Sequence, residues 1–209
     1  MEITLIILFI LTLVYVVTAG RMSTYILLIA IQGVLLFLLA IIKLKEIHIS
    51  NFIFILAETL IFKSILVPYY LRHLAKKNKV TYETEPDKAN FNAILKVSAI
   101  IVLSFLMANK LHFHAIDIII FTASISAIFC GALIVIRRKK VLTHVKGYLV
   151  LENGIFLISL SIGSEMPIAV NLFILFDIIT TVLLLGVFVN EMSKVYKGLE
   201  ITQLNNLKD

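Results

Sequence analysis

The chain has 209 residues, 60% hydrophobic and only 15% charged, with a net charge of +6 and a mean hydropathy of +1.03. Soluble domains are about 45–50% apolar and about 25% charged, so the composition excludes an ordinary soluble enzyme and points to an integral membrane protein. The single cysteine, Cys130, excludes an intramolecular disulfide and any multi-cysteine metal or iron–sulfur site within the chain.

A helical membrane crossing takes about 20 mainly apolar residues, because lipid offers backbone groups no partner outside their own helix or a closed barrel. Continuous apolar runs cover about 3–19, 24–42, 49–70, 91–109, 115–136, 142–163 and 168–190. They predict an all-α polytopic membrane protein of about seven transmembrane helices, forming one membrane domain. The first run lacks the basic n-region and small-residue cleavage site of a secretory signal peptide and reads as a true span. The second ends near Lys43.

The third run, AETLIFKSILVPYY, carries Glu58, Thr59, Lys63, Ser64 and Pro68. On an α-helix Lys63 is one turn from Thr59, whereas Glu58 is five positions away and about 140° round, so a direct Glu58–Lys63 pair is strained. Pro68 has no N–H for the Ser64 carbonyl, which predicts a kink or an admitted water just above Lys63. Charged groups inside a membrane mark ion or proton routes by default. Lys63 is therefore a candidate relay element, the alternative being a stem that snorkels to the nearby interface.

A polar stretch, Arg72 to Asn90, separates the first three helices (1–72) from the last four (91–209) and is too short to form a domain. It reads as a loop (73–90) able to meet a soluble partner. Lys96, close to the start of the fourth span, reads as a snorkelling anchor. Next, His112, His114 and Asp117 cluster in NKLHFHAID; a solvated turn is the plainer reading, a metal site or pH-sensitive proton exit the sharper one. Arg137 to Lys140 (RRKK) reads as a topology anchor in contact with anionic lipid.

The last two runs carry Glu152 and Asp177, which lie about 13 residues before and about 12 after the centre of the GSEMP turn. At 1.5 Å rise per residue both sit roughly 18–20 Å below that turn, at nearly equal depth. Two depth-matched carboxyls on adjacent helices can exchange a proton directly or through waters. Alternatively each makes a structural hydrogen bond, Glu152 with Asn153 or a neighbouring serine, Asp177 with Thr180 or Thr181.

Charge sets the orientation. One side of the predicted bundle collects Arg21; Arg72, Lys76, Lys77, Lys79 and Lys88; Arg137, Arg138, Lys139, Lys140 and Lys146; and Lys194, Lys197 and Lys208. The other collects only Lys43, Lys45 and Lys110. The positive-inside rule then places the N-terminus outside and the C-terminus in the cytoplasm. The net positive charge reports topology, not a nucleic-acid surface.

The segment GYLVLENGIFLISL, the later LFDIITTVLLLGVFV, the tail GLEITQLNNLKD and the KSILVP of span three together resemble the hydrogenase-4 membrane component E (HyfE) family. Over its last three helices, about 115–190 here, that family is similar to the NuoK subunit of complex I and to the C subunit of multisubunit cation/proton antiporters. There, two membrane glutamates on adjacent helices form part of a lateral proton path. Glu152 matches the first; Asp177 stands at the second, with a side chain one methylene shorter. Glu58 has no counterpart in the family pattern and rests on its own placement in hydrocarbon.

What the resemblance implies is a non-catalytic subunit of a complex I-like respiratory assembly in a prokaryotic cell membrane, of the group 4 nickel–iron hydrogenase or formate hydrogenlyase type. The expected proton or Na⁺ relay residues are Glu152, Asp177, Lys63 and Glu58. Expected partners are antiporter-like membrane subunits, soluble hydrogenase-type subunits on the cytoplasmic side, and lipid. No cofactor is expected in this chain; nickel, iron and iron–sulfur clusters would belong to the partners. Two alternatives remain, a scaffold that seats antiporter-like partners and a small subunit of a multisubunit antiporter. An autonomous transporter is disfavoured by the lack of inverted repeats and interrupted helices.

Overall fold

A computed structural model describes residues 1–43, 53, 55–77, 90–110, 117–137, 141–162 and 186. The described residues are all-helical. In chain order the helices are α1 (Glu2–Thr18), α2 (Met22–Lys43), α3 (Leu56–Leu66), α4 (Val67–Lys77), α5 (Asn90–Lys110), α6 (Ile118–Arg137) and α7 (Val141–Ile162). Three stretches, Met22–Lys43, Phe91–Lys110 and Ile118–Ile136, are long and apolar enough to cross a membrane. The chain is a membrane protein by these helices.

Several hydroxyls within the apolar helices donate to a carbonyl one turn back, which suits a medium without water. Thr12 donates to the Phe9 carbonyl at 2.6 Å, Thr122 to Ile118 at 2.7 Å, Ser126 to Thr122 at 2.7 Å and Ser161 to Ile158 at 2.7 Å. These bonds let Thr and Ser sit at helix contacts without stranding a polar group.

α6 and α7 form the tightest pair. They are antiparallel, with Gly131 against Gly147 and Leu151 at one level and Gly154 against Ser124 and Ile128 further along. A Cβ at Gly131 would stand 2.6 Å from the Gly147 carbonyl oxygen; small residues are what permit such backbone approach between membrane helices. α2 packs on α1, α3, α4 and α7, while α6 also contacts α5 and α1. The core between them is built from Phe9 and Leu13 of α1, Tyr25, Ile29 and Leu36 of α2, and Ala127 and Leu157 of α6 and α7. α5 lies outermost, with Phe91, Leu95, Val102 and Leu103 exposed.

Polar contacts mark two rims. At one, Lys43 at the end of α2 reaches Glu2 at 3.3 Å and Asp117 at 2.7 Å, and the Asp117 N–H donates to the Ser161 carbonyl at 3.0 Å. Glu2, Lys43, Asp117 and Ser161 therefore share one end of the bundle. At the other rim are the α1–α2 connection at Arg21 and the Tyr25 hydroxyl, which donates to the Lys146 carbonyl at 2.6 Å.

The structure corrects three sequence expectations. The helix of the third span does not yield to loop at Arg72 but continues to Lys77. Val67, Pro68 and Leu71 bury one flank of this extension while Arg72, His73 and Lys76 stay exposed on the other, and that amphipathic pattern sustains helix beyond the apolar run. Second, the α-helical winding assumed around Lys63 does not hold: the whole of α3 is wound as a π-helix, its last i→i−5 bond running from the Val67 N–H to the Phe62 carbonyl. The wider register ends just before the residue that has no N–H to give. Third, Lys146, counted above with the loop charges, is 1% exposed inside α7.

Candidate functional site

The centre of the bundle holds an ion pair. Lys63 Nζ lies 3.5 Å from Glu152 Oε1, their side chains 5% and 4% exposed. The ammonium also stands 5.4 Å from the centroid of the Phe156 ring, one turn beyond Glu152 on α7 and well placed for a cation–π contact. Lys63 therefore faces the interior and does not snorkel. Thr59, one turn earlier, is fully buried and donates back to the Ile55 carbonyl at 2.6 Å.

Burying two ions in apolar surroundings costs several kcal/mol per ion, and their attraction repays this only when geometry and supporting contacts are good. A buried pair is thus weak evidence for stability. It is stronger evidence for a group kept for its chemistry, because an intramembrane charge is costly and by default functional. A carboxylate and an ammonium within 4 Å can hold, pass or release a proton, or admit a cation to the carboxylate in place of the lysine.

Next to the pair runs a neutral polar chain. Asn153 Nδ2 donates to Gln32 Oε1 at 3.0 Å, Gln32 Nε2 donates to Thr12 Oγ1 at 3.0 Å, and Thr12 in turn donates to the Phe9 carbonyl. Gln32 and Asn153 are 0% and 2% exposed. Towards the Arg21 rim a second buried lysine, Lys146, places its Nζ 4.4 Å from the centroid of the Tyr25 ring. Lys63, Glu152, Gln32, Asn153 and Lys146 thus form a polar core spread over α2, α3 and α7.

Of the residues singled out from sequence, Lys63 and Glu152 are brought together. Glu58 is on α3 by its backbone, and its side chain lies outside the described residues; so do Asp177, His112 and His114. The π winding of α3 does alter one premise, since positions i and i+5 are one turn apart in it and not the about 140° apart of an α-helix. Asp117 belongs to the rim, where its carboxylate accepts the Ile119 N–H at 3.1 Å and the Ile120 N–H at 3.3 Å as the N-cap of α6. Burial pushes its pKa up, but the hydrogen bond and charge of Lys43 and the two backbone N–H groups outweigh that and hold it below the usual carboxylate value. Lys96 is exposed on α5. Sequence reasoning missed Gln32, Tyr25 and the burial of Lys146. An amide in the middle of an otherwise apolar α2 was the available signal for Gln32.

An all-helical membrane protein with a buried lysine–carboxylate pair is what the fold and site define. No family model, no curated protein and no solved structure matches the chain.

Proposed function

We propose that this chain is a non-catalytic membrane subunit of a complex I-like respiratory assembly of the nickel–iron hydrogenase or formate hydrogenlyase type, and that Lys63 and Glu152 are stations on its proton or Na⁺ path. On this reading it crosses a prokaryotic cell membrane seven times, N-terminus outside and C-terminus cytoplasmic, with the Lys43 rim outward. Asp177 takes the next position beyond Glu152, and redox chemistry in partner subunits supplies the energy. Nickel, iron and iron–sulfur clusters belong to those partners.

The observation that carries the reading is the Lys63–Glu152 pair, 3.5 Å apart and almost wholly buried between helices of a membrane protein. A proton reaching the Glu152 carboxylate gives a neutral acid and ends its attraction for the Lys63 ammonium; the ammonium can then pass its own proton to the next acceptor. An arriving Na⁺ displaces the ammonium from the carboxylate by the same electrostatics. Either way the charge on one partner decides whether the other holds its ion.

The test is ion uptake by inverted membrane vesicles holding the whole assembly, with native gels reporting complex yield. Glu152→Gln and Asp177→Asn are expected to lose pumping while the complex still assembles. Normal pumping in both would end the relay reading. The tight α6–α7 seam favours one rival, a scaffold that only seats its partners; it predicts a loss of complex yield with unchanged pumping per complex.

A further inference from the structure

Lys63 and Glu152 sit on helices that are held through a third. α3 packs on α2 and α4, α7 on α6 and α2, so α2 is the neighbour they share. Two adjacent residues of α2 make the two joints. Gly33 meets the backbone of the lysine helix: a Cβ there would stand 2.9 Å from the Thr59 carbonyl oxygen, 3.0 Å from the Ser64 nitrogen and 3.2 Å from the Lys63 carbonyl carbon. Gln32, about 100° round the helix from Gly33, holds the carboxylate helix through its bond to Asn153, the residue after Glu152. Its other end is tied to α1 through Thr12.

The joint to α7 also fixes height. Tyr25 meets Lys146 and Gln32 meets Asn153 at the same sequence separation of 121, so α2 and α7 run parallel in one register over two turns. An apolar seam tolerates slip and rotation; one buried amide pair in it does not, because any other register leaves both amides unpaired in hydrocarbon.

We infer that Gln32 and Gly33 are positioning residues that set the separation of Lys63 from Glu152, Gly33 by letting the lysine helix approach α2 and Gln32 by locking the rotation and height of the carboxylate helix. The geometric part stands on the contacts alone; its effect on pumping rests on the function proposed above.

The experiment uses the full chain in its native membrane with Cys130→Ala, Lys63→Cys and Glu152→Cys, and a short bifunctional methanethiosulfonate reagent that reads the spacing of positions 63 and 152. Adding Gln32→Leu is expected to lower cross-linking about fivefold, the scale set by loss of one buried hydrogen bond, and adding Gly33→Ala, whose Cβ would stand 2.9 Å from the Thr59 carbonyl oxygen, is expected to lower it at least as much. Unchanged cross-linking in both overturns the inference. Should Gln32→Leu fail to accumulate, the shortened Gln32→Asn is compared with the exchange Gln32→Asn/Asn153→Gln, which keeps the total length of the amide bridge. Recovery in the exchange supports a positioning bridge, and equal yields for the two overturn it. In the chain with Lys63 and Glu152 intact, pumping per assembled complex is expected to follow the same pattern. If Lys63→Met and Glu152→Gln both pump normally, the proposed function falls while the cross-linking still decides the spacing. If they lose pumping and Gln32→Leu and Gly33→Ala keep it, the inference falls alone.

Discussion

Among the described residues, lysine meets carboxylate in two settings. At the rim Lys43 meets Asp117 and Glu2 with side chains about a quarter to a third exposed; in the core Lys63 meets Glu152 with both almost wholly buried. The rim lysine has two carboxylates and water to share its charge, and Asp117 has a second task as the cap of α6. The core lysine has one described carboxylate and an aromatic ring. Distance would rank the rim contact of 2.7 Å above the core contact of 3.5 Å, but environment reverses the ranking. At the rim a lost partner is replaced by water, and in the core it is not.

Removing one core partner therefore has the largest expected effect. Lys63→Met takes the ammonium from beside the buried Glu152 carboxylate, and a cost of about 3–5 kcal/mol is expected for removing one partner of a buried pair. Thermal unfolding of the solubilised protein measures it. The double variant Lys63→Met/Glu152→Gln is expected to recover most of that stability, since similar-sized neutral replacements of a buried pair are often nearly neutral, and to remain without ion pumping. A double variant as unstable as the single would show that the pair is held for stability and would erase its contrast with the rim.

Next in size is the seam that carries the carboxylate helix. Gly131→Ala places a Cβ 2.6 Å from the Gly147 carbonyl oxygen and 2.7 Å from the Leu151 nitrogen, so α7 must move away from α6 at about 1–3 kcal/mol, the usual cost of overpacking. The shift displaces Glu152, one residue from Leu151, while the rim contacts of Asp117 and Lys43 lie more than a turn beyond the seam. Leu103→Ala on the exposed face of α5 is the control and is expected to stay within about 0.5 kcal/mol. Equal melting points for the two variants would show that α6 and α7 are not locked at Gly131.

The contrast between rim and core was only partly legible in the sequence. Charges at mid-span announce themselves by the cost of placing them in hydrocarbon, which is why Lys63 and Glu152 stand out from residue type and position alone. Their pairing does not, because it depends on how two helices are rotated about α2, and a one-dimensional pattern leaves rotation open when nearly every position is apolar. Lys146 misled for a related reason. Near the end of an apolar run a lysine reads as a loop charge, and only the parallel packing of α2 and α7 under the Tyr25 ring buries it. The π winding of α3 had a single hint, Pro68, which announces a disturbance and not its form. The helix ends at Thr18, Lys43 and Lys110 were close to expectation because apolar runs ending in charge fix them directly.

The smallest effects are expected at the rim, and there pH separates charge from capping. The Asp117 pKa is lowered in the folded chain, so its contribution to stability is full above the ordinary carboxylate value near ~4 and is lost as pH falls through the depressed folded value. Asp117→Ala removes both cap and ion pair and is expected to cost about 1 kcal/mol. Asp117→Asn keeps an oxygen for the Ile119 and Ile120 N–H groups and is expected to lose only the charge, worth about 0.2–1 kcal/mol. Its deficit against the parent chain should therefore vanish at low pH, where Asp117 itself is protonated, and shrink in 1 M salt, where the screening length falls to about 3 Å. Glu2→Gln should do less, its contact to Lys43 being longer and more exposed. Melting curves of the solubilised protein across pH and salt measure all three. A deficit in Asp117→Asn that persists undiminished through acid and salt would mean that the rim pair behaves like the buried one, and the distinction drawn between them by exposure would fail.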